Sequence, residues 1–296
     1  MKAAPFEYFR ASTLAETCAQ LAQHGSDAKL IAGGQSLVPM MAMRLARPAW
    51  LIDIHRLAEL QGIATHEASD AGGDGVLAVG AAVRQCVIER DSLACSSLPL
   101  LGRALKWVGH VQTRNRGTIG GSIVHADPSA EIPLVACVLD AEFELRDATG
   151  ATDVPACEFF LAPMVTTIAP DQCLAEIRFP VWKDARVGSA FEEMSIRHGD
   201  FALVSACAQV ALDADGKCVR AALGIGGASP FPQALPEIGA RLAGTRLDDR
   251  TIADAAGAAA DLIDPDGDLH ATAAYRRHLA RVFAERVLRS AREDAR

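Results

Sequence analysis

The chain has 296 residues, of which 50% are hydrophobic and 22% are charged, and its formal net charge at pH 7 is −8. This balance is typical of a globular protein and excludes a disordered chain or a small scaffold held together by disulfides. The acidic balance argues against nucleic acid as the main partner, because phosphate binding needs a basic surface. No apolar run approaches the length of a membrane helix, and Glu7 and Arg10 interrupt any secretion signal near the start. We therefore expect a cytoplasmic protein.

The eight cysteines form no C-x-x-C pair. Iron–sulfur and zinc sites need thiolates at short spacing, so we expect neither kind of site in this chain. Each cysteine has apolar or small neighbours, which predicts buried, reduced thiols. Two nucleotide-binding signatures are also missing from the sequence. The glycines at 224–227 lack the third glycine of a dinucleotide fingerprint, and no G-K-[ST] of a P-loop occurs.

The first part of the chain predicts a mixture of helices and strands. A helix begins after Thr13, with Glu16 completing a capping box, and ends at His24 and Gly25. Further strands are predicted at 29–32, 51–54, 76–83, 142–146 and 174–179, and further helices at 37–45 and 99–109. A turn is predicted at 72–75 and an irregular segment at 114–121, whereas 130–139 fits either a buried helix or an apolar strand.

The pattern changes after Pro180. Strands are predicted at 191–196, 201–212 and 218–225, and a hairpin turn at 213–216 joins the last two. Helices are predicted at 235–242, at 249–263 and from about residue 271 onward, the last with apolar residues at spacings of four. The sequence therefore predicts a mixed α+β fold with a domain boundary near residue 180.

Two pairs of adjacent glycines carry the strongest functional signal. Gly33 and Gly34 lie in A-G-G-Q-S between a predicted strand and a predicted helix, and Gly120 and Gly121 lie in T-I-G-G-S. Adjacent glycines let successive backbone N–H groups converge on one point, because no Cβ blocks the approach. Such a concavity binds phosphate, and a following helix N-terminus adds partial positive charge. One such turn alone is usually structural, but two of them predict a clamp on the two phosphates of a dinucleotide.

Longer motifs around these glycines resemble a known family. The motifs are K-L-I-A-G-G-Q-S, T-R-N-R-G-T-I-G-G-S-I-V-H-A-D-P-S-A-E-I-P and S-I-R-H-G-D-F-A. They resemble the FAD-binding medium subunit of molybdenum hydroxylases, in the carbon-monoxide-dehydrogenase-like branch of the xanthine oxidase family. The resemblance implies a two-lobed FAD-binding domain of the vanillyl-alcohol-oxidase (PCMH) type over residues 1–179. It also implies a smaller C-terminal α+β domain of antiparallel strands and helices over residues 180–296, of the carbon monoxide dehydrogenase flavoprotein type.

The resemblance also implies which residues contact the cofactor. The first set, around the FAD diphosphate, is Ala32, Gly33, Gly34, Gln35 and Ser36. The second set, on the other side of the diphosphate, is Thr118, Gly120, Gly121 and Ser122.

Three further residues are implied to contact FAD. Glu131 corresponds to an acidic residue directed toward the ribityl or adenosine hydroxyls, although a carboxylate favoured by a helix N-terminus would look the same. Leu174 corresponds to a backbone contact with the flavin ring; without the resemblance it would be a core leucine. Phe201 lies where relatives often have a tyrosine beside the ring. Glu193 departs from the family, because a lysine is expected there in many relatives, and a carboxylate disfavours a reduced flavin anion.

The function implied is electron transfer. The chain would bind FAD, accept electrons from partner [2Fe–2S] clusters and pass them to an external acceptor. The partners implied are a small iron–sulfur subunit and a large subunit with molybdopterin cytosine dinucleotide, assembled as a dimer of heterotrimers. No catalytic or metal-ligating residue is assigned to this chain. Two alternatives stay open: a self-contained FAD-dependent dehydrogenase that oxidises its own substrate, and a nucleotide-binding scaffold whose glycine pairs are only turns.

Overall fold

A computed structural model describes residues 2–67 and 75–296. The turn predicted at 72–75 lies outside the described residues except for Gly75, which begins a strand. Within the described ranges, the structure contains no helix that is long and apolar enough to cross a membrane. Helices and strands are mixed throughout, so the predicted α+β class is confirmed.

The first lobe is built on a three-stranded sheet in the order β1-β3-β2, and both pairings are parallel. Its strands are β1 (Glu7–Arg10), β2 (Ala28–Ile31) and β3 (Trp50–Asp53), and its helices are α1 (Leu14–His24) and α2 (Leu37–Ala42). Because the strands are parallel, the loops that follow β2 and β3 leave the sheet at the same edge. Short 3₁₀ turns occupy Gly25–Asp27 and Ala58–Leu60.

Helix α1 begins and ends as the sequence predicts. The Thr13 hydroxyl accepts a hydrogen bond from the Glu16 N–H at 3.1 Å, and the Glu16 carboxylate accepts one from the Ser12 N–H at 2.6 Å. These bonds satisfy two N–H groups near the start of the helix. At the other end, Gly25 adopts a φ of 49°, which glycine tolerates better than other residues.

The second lobe is built on a five-stranded sheet in the order β4-β5-β10-β6-β7. Its strands are β4 (Ile63–His66), β5 (Gly75–Gly80), β6 (Glu142–Arg146), β7 (Ala151–Pro155) and the central β10 (Cys173–Val181). Its helices are α3 (Gln85–Ile88), α4 (Ser92–Ser97), α5 (Pro99–Leu105), α6 (Val111–Arg114), α7 (Ile119–His125), α8 (Glu131–Val138) and α9 (Ala156–Phe159). A small two-stranded sheet is formed by β8 (Phe160–Ala162) and β9 (Val165–Thr166).

The remaining part is a four-stranded antiparallel sheet covered by three helices. Its strands, in spatial order, are β11 (Val187–Met194), β12 (Val204–Leu212), β13 (Cys218–Gly226) and β14 (Gln233–Ala234). Its helices are α10 (Pro236–Leu242), α11 (Asp249–Leu262) and α12 (Ala273–Asp294). The predicted hairpin turn is present, and Gly216 has a φ of 74° there. One face of this sheet packs on α12, and Phe191 and Cys207 on the other face join the core of the second lobe.

The structure corrects two local predictions and decides a third that was left open. Residues 114–121 are not a single irregular segment, because α6 ends at Arg114 and α7 begins at Ile119. Phe201 does not begin a strand, because β12 starts at Val204 and Phe201 lies in the loop before it. Within residues 130–139, Glu131–Val138 form the helix α8, and every residue of it after Glu131 is buried. A helix that is apolar all round has no amphipathic period, so its sequence cannot be told from that of a buried strand.

Candidate functional site

The first glycine pair lies in the loop between β2 and α2. Gly34 adopts a φ of +71°, a conformation that is strained for residues with a side chain. Among the described residues, none accepts a hydrogen bond from the backbone N–H groups of Gly33, Gly34, Gln35 or Ser36. The Gln35 amide folds back and donates to the Gly33 carbonyl at 3.1 Å. The loop therefore presents several unused donors, as an anion-binding loop does.

Gly33 packs directly on the segment that leads to the second glycine pair. A Cβ added to Gly33 would overlap the Arg116 carbonyl oxygen and lie 2.8 Å from the Gly117 Cα. Only a glycine allows the two backbones to approach this closely. This contact places the first glycine pair next to the segment that precedes the second pair. The sequence identified these two regions separately.

A cavity of about 410 Å³ opens beside this contact. Its wall combines the first loop with side chains from β1, from the end of β3 and from the segment before α7. The lining residues are Tyr8, Ile31, Ala32, Gly33, Gly34, Gln35, Val38, Pro39, Asp53, His55 and Arg116. In the described part of the chain, no acidic side chain pairs with the Arg116 guanidinium, so its charge is available to a ligand. Free N–H donors, a cation and close backbone packing suit a diphosphate.

Asp53 organises the opposite wall of the cavity. Its carboxylate accepts hydrogen bonds from the Tyr8 hydroxyl and from the His55 N–H at 3.0 Å, and it contacts His55 Nδ1 at 2.7 Å. Burial alone would raise the pKa of Asp53, but the hydrogen bonds from Tyr8 and His55 outweigh burial and lower it. The His55 ring is thereby held with Nδ1 as donor and Nε2 as acceptor of a 3.2 Å bond from Arg56. The polar groups of this wall thus have hydrogen-bond partners within the protein that hold them in place.

The second glycine pair forms the first turn of α7 rather than an open loop. Gly120 donates its N–H to the Ala81 carbonyl at 3.0 Å, and Gly121 donates its N–H to the Thr118 hydroxyl at 3.0 Å. A Cβ at Gly120 would lie 2.5 Å from the Ala81 Cβ, so this glycine lets α7 pack on the chain after β5. The N–H groups expected to meet phosphate here are therefore already used within the chain. The Ser122 hydroxyl has no partner among the described residues. It is therefore the one hydrogen-bonding group of this set that a ligand could still use.

Of the predicted residues, those that line the cavity are Ala32, Gly33, Gly34 and Gln35. The others lie outside its lining: Ser36, Thr118, Gly120, Gly121, Ser122, Glu131, Leu174 and Phe201. Leu174 is 3% exposed, and its side chain belongs to the core of the second lobe. The pairing of β10 with β6 shifts register between Leu174 and Glu176, so the strand is irregular at this point. Phe201 is 68% exposed, on the loop between β11 and β12. That loop contacts the second lobe, because the Ser129 hydroxyl donates to the Ala202 carbonyl at 2.9 Å.

Glu131 is the first residue of α8, and Glu193 lies near the end of β11. Burial raises the pKa of Glu131 to about 7, and the Asp127 carboxylate raises it further while Arg114 opposes the shift. Burial likewise raises the pKa of Glu193 to about 8, and Glu131 adds to that shift. Burial therefore favours the protonated form of both carboxyls. Sequence reasoning noted each of them but gave no sign that they interact.

Sequence reasoning also missed Tyr8, Asp53, His55 and Arg116. One signal was present for Asp53, which ends a strand next to the glycine loop, since ligands bind at the carboxyl ends of parallel strands. Among the described residues, no group of three His, Cys, Asp or Glu side chains could hold a metal ion. Five of the eight cysteines are buried, and burial raises the pKa of the Cys137 and Cys173 thiols to about 12.

Comparison with known proteins gives matches along almost the whole chain. Residues 4–182 match the family described as "FAD binding domain in molybdopterin dehydrogenase", and residues 189–291 match "CO dehydrogenase flavoprotein C-terminal domain". The alpha subunit of the 6-hydroxypseudooxynicotine dehydrogenase complex of Paenarthrobacter nicotinovorans is 37% identical over 296 residues, covering 100% of this chain and 97% of that protein. The carbon monoxide dehydrogenase medium chain of Hydrogenophaga pseudoflava is 35% identical over 291 residues, covering 97% and 96% of the two chains.

The fold has a close counterpart among solved structures. A chain of the Hydrogenophaga pseudoflava carbon monoxide dehydrogenase that lacks the Mo-pyranopterin moiety of its cofactor superimposes with a TM-score of 0.93. The two sequences are 33% identical, and the superposition covers 100% of each chain.

Proposed function

The chain belongs to the family of FAD-binding subunits of molybdenum hydroxylases, and from this membership we propose that it is the electron-transfer subunit of a larger dehydrogenase. It is an oxidoreductase flavoprotein subunit. In the proposal it takes electrons from [2Fe–2S] clusters of a small partner subunit and passes them to an external acceptor. A large partner subunit with molybdopterin cytosine dinucleotide oxidises the substrate. The complex is a cytoplasmic dimer of heterotrimers, and the boundary between the two domains of this chain lies between residues 179 and 180.

The observation that carries the proposal is the contact between Gly33 and Arg116 at the mouth of the cavity. Gly33, Gly34 and Gln35 line this cavity, and no described residue accepts a hydrogen bond from their N–H groups. Arg116 lines it too, and its guanidinium pairs with no acidic side chain in the described part of the chain. These groups fit the two negative charges of the FAD diphosphate. FAD supplies a carrier that accepts two electrons and releases them singly, which is the chemistry that an electron relay needs.

Each cofactor-binding residue has a role in the proposal. Ala32, Gly33, Gly34, Gln35 and Ser36 surround the diphosphate. Thr118, Gly120, Gly121 and Ser122 form the second contact, in which the Ser122 hydroxyl is the direct donor and the other three fix the start of α7.

The remaining three residues are proposed to meet the rest of the cofactor. Glu131 lies toward its hydroxyl groups. The backbone at Leu174 meets the ring where the β10 ladder is irregular. The exposed Phe201 side chain covers the ring from the loop before β12.

The first experiment tests FAD binding. The purified chain should hold about one FAD per chain, measured by absorbance after denaturation, and should lose it reversibly. A colourless chain that takes up no FAD would instead favour the scaffold alternative.

The second experiment tests electron flow. The chain is expressed alone and together with its genomic neighbours, and candidate substrates are added without oxygen. In the complex the flavin absorbance should bleach, because substrate electrons reach it through the partner subunits. In the isolated chain it should stay unchanged. Equal rates of bleaching in both samples would overturn the relay and favour a self-contained dehydrogenase.

A further inference from the structure

The loop that carries Phe201 is held differently on its two sides. This Phe201 loop, residues 195–203, joins β11, which ends at Met194, to β12, which begins at Val204. The Leu203 N–H donates to the Met194 carbonyl at 2.7 Å and closes the base of the loop. The contacts that fix the rest of the loop come from three other parts of the chain.

The last two residues of the loop are fixed by hydrogen bonds from other elements. The Ala202 carbonyl accepts the 2.9 Å hydrogen bond from the Ser129 hydroxyl. The Leu203 carbonyl accepts a hydrogen bond from the guanidinium of Arg276 on α12. Arg276 is buried and pairs with Asp268 at 2.7 Å, which holds the guanidinium in place. The backbone that follows Phe201 therefore has a fixed course.

The residues before Phe201 have no such bonds. The Arg197 carbonyl accepts hydrogen bonds from the Asp200 N–H at 3.0 Å and from the Ser195 hydroxyl at 2.9 Å, and both bonds lie within the loop. Among the residues that the structure describes, no hydrogen bond or ion pair joins residues 195–200 to another element. Packing is therefore what holds this part of the loop.

The imidazole of His110 provides that packing. Gly199 has a φ of +87°, and a Cβ added to it would lie 2.5 Å from Cε1, 2.8 Å from Nδ1 and 2.9 Å from Nε2 of the His110 ring. The backbone of Gly199 thus rests directly against this ring, and only glycine combines such a φ with so close an approach. The His198 ring stands at 89° to the His110 ring, with the two centroids 6.1 Å apart.

The His110 side chain is not needed for its own helix. His110 is the N-cap residue of α6, but its side chain makes no capping hydrogen bond. Its carbonyl accepts a 3.1 Å hydrogen bond from the Arg114 N–H, which any residue at this position could accept. The side chain is exposed, and in the described ranges its ring takes part in no hydrogen bond or ion pair. Removing the ring therefore takes neither a helix cap nor a core contact from the second lobe.

His110 also begins the segment that leads to the cavity. Helix α6 follows it and ends at Arg114, and two residues later Arg116 lines the cavity and meets Gly33. One short segment thus contacts the proposed diphosphate site at one end and the Phe201 loop at the other. The ring at position 110 fixes where the loop stands relative to the cavity.

We propose that His110 is a positioning residue for the flavin: it supports Gly199 so that the Phe201 side chain stays against the ring of FAD. The inference rests on the proposed function, in which Phe201 covers that ring. With Gly199 held on one side and Ala202 on the other, an exposed phenylalanine keeps one position. Without the His110 ring, the residues before Phe201 open locally, and Phe201 spends part of the time away from the flavin.

The first measurement is trypsin cleavage of the FAD-free full chain after Arg197. This arginine is exposed, and its carbonyl must lose both of its hydrogen bonds before the loop can extend into the protease. Because such cleavage follows the population of the open form, His110→Ala should be cut here roughly 5- to 10-fold faster than wild type. Cleavage after the exposed Lys217, between β12 and β13, should not change. The matched control is His278→Ala, at an exposed histidine of α12, which should be cut as wild type is.

The second measurement is the absorption spectrum and midpoint potential of the bound FAD, which a contact with a purely structural role would leave unchanged. His110→Ala should shift them in the same direction as Phe201→Ala and by a smaller amount. The double variant should match Phe201→Ala alone, because His110 acts through Phe201. His278→Ala should keep the wild-type values.

Three results would overturn the inference. Unchanged cleavage after Arg197 in His110→Ala would mean that the ring does not hold the loop. Faster cleavage with an unaltered flavin spectrum and potential would mean that the ring holds the loop but does not position Phe201 for the flavin. Additive shifts in the double variant would mean that His110 affects the flavin without Phe201. Failure of the proposed function is seen separately, as a wild-type chain that takes up no FAD, and it would overturn both.

Discussion

Gly33 and Arg116 meet so closely that a Cβ on the glycine would overlap the carbonyl oxygen of the arginine. They are far apart in the sequence, on different lobes of the FAD-binding domain. Their contact fixes the width of the cavity at the point where we place the diphosphate. Because of this contact, adding a single Cβ atom at Gly33 tests directly whether the diphosphate lies there.

We expect Gly33→Ala to weaken FAD binding by roughly 10- to 100-fold, or about 1.4–2.8 kcal/mol, because the loop must move away from Arg116. The measurement is the dissociation constant of FAD from the apoprotein, followed by quenching of flavin fluorescence. Gly62→Ala is the control, because a Cβ there meets nothing within 4 Å. Wild-type affinity in Gly33→Ala would show that the loop does not hold the phosphates.

Arg116→Gln should weaken FAD binding by roughly 5- to 10-fold at low salt, or about 1–1.4 kcal/mol, because it removes a charged hydrogen-bond donor whose effect is reduced by solvent at an exposed site. The difference from wild type should shrink as salt is raised, because salt screens exposed charges. Titrating FAD at two salt concentrations checks both points. Arg90→Gln, which removes another exposed arginine outside the cavity, should have no effect. An effect of equal size in the two variants would contradict a specific role for Arg116.

Phe201→Ala should shift the flavin absorption spectrum or its midpoint potential while leaving the stability of the FAD-free chain within about 0.5 kcal/mol. The side chain is 68% exposed, so its removal leaves no core cavity. A core phenylalanine would instead cost about 3–5 kcal/mol. Leu269→Ala, at another exposed apolar residue, is the control and should leave the spectrum unchanged. An unaltered spectrum in Phe201→Ala would remove this residue from the flavin site.

The buried Glu193 carboxyl should make the stability of the chain fall as the pH rises. Burial raises its pKa from the ordinary 4.5 to about 8, so the folded chain holds this proton more tightly than the unfolded chain does. The stability contributed by the protonated group is therefore complete below about pH 4.5 and is lost as the pH rises toward about 8. Glu193→Gln cannot ionise, and we expect it to exceed wild type in stability at pH 9 by on the order of 1–3 kcal/mol.

Thermal unfolding of the FAD-free chain at pH 5 and at pH 9 checks this expectation. The difference in unfolding temperature between Glu193→Gln and wild type should be small or reversed at the lower pH. For Glu192→Gln, the difference from wild type should not change with pH. Parallel pH profiles for wild type and Glu193→Gln would mean that the carboxyl is not held neutral by the fold.

Arg178 of the central strand β10 binds carboxylates on three neighbouring strands of the second lobe, β10, β6 and β7. Its guanidinium pairs with Glu176 and Asp153 at 2.9 Å each, with Glu142 at 3.4 Å and with Glu144. Arg178→Gln leaves these carboxylates facing one another and should lower stability by about 1–2 kcal/mol, less in high salt.

Urea unfolding at low and at high salt measures the loss of stability in Arg178→Gln and how far salt reduces that loss. Arg250→Gln, which breaks an exposed pair at 3.9 Å, should cost at most about 0.5 kcal/mol. Equal losses of stability in Arg178→Gln and Arg250→Gln would mean that the carboxylate cluster around Arg178 contributes no more than an exposed ion pair.

Much of the local structure was readable from the sequence because its causes are local. The cap at Thr13, the turn at Gly216 and the loop around Gly34 each depend on a few neighbouring residues. The motifs around the two glycine pairs were also sufficient to identify the family, which the comparisons confirm. Where the local signal was ambiguous, the sequence left two alternatives open. Residues 130–139, for example, are apolar all round and carry no period to distinguish a helix from a strand.

The sequence by itself determined the fold class, the family and the presence of an FAD-binding domain, because these follow from local patterns and from the order and spacing of the motifs. Only the tertiary structure decided that Arg116 meets Gly33, that the N–H groups of Gly120 and Gly121 are used within the chain, and that Glu193 is buried with no hydrogen-bond partner for its Oε2 atom among the described residues. Each of these depends on how lobes and sheets pack. Packing decides which donors stay free and which carboxyls lose water, and both are properties of contacts between residues far apart in the chain.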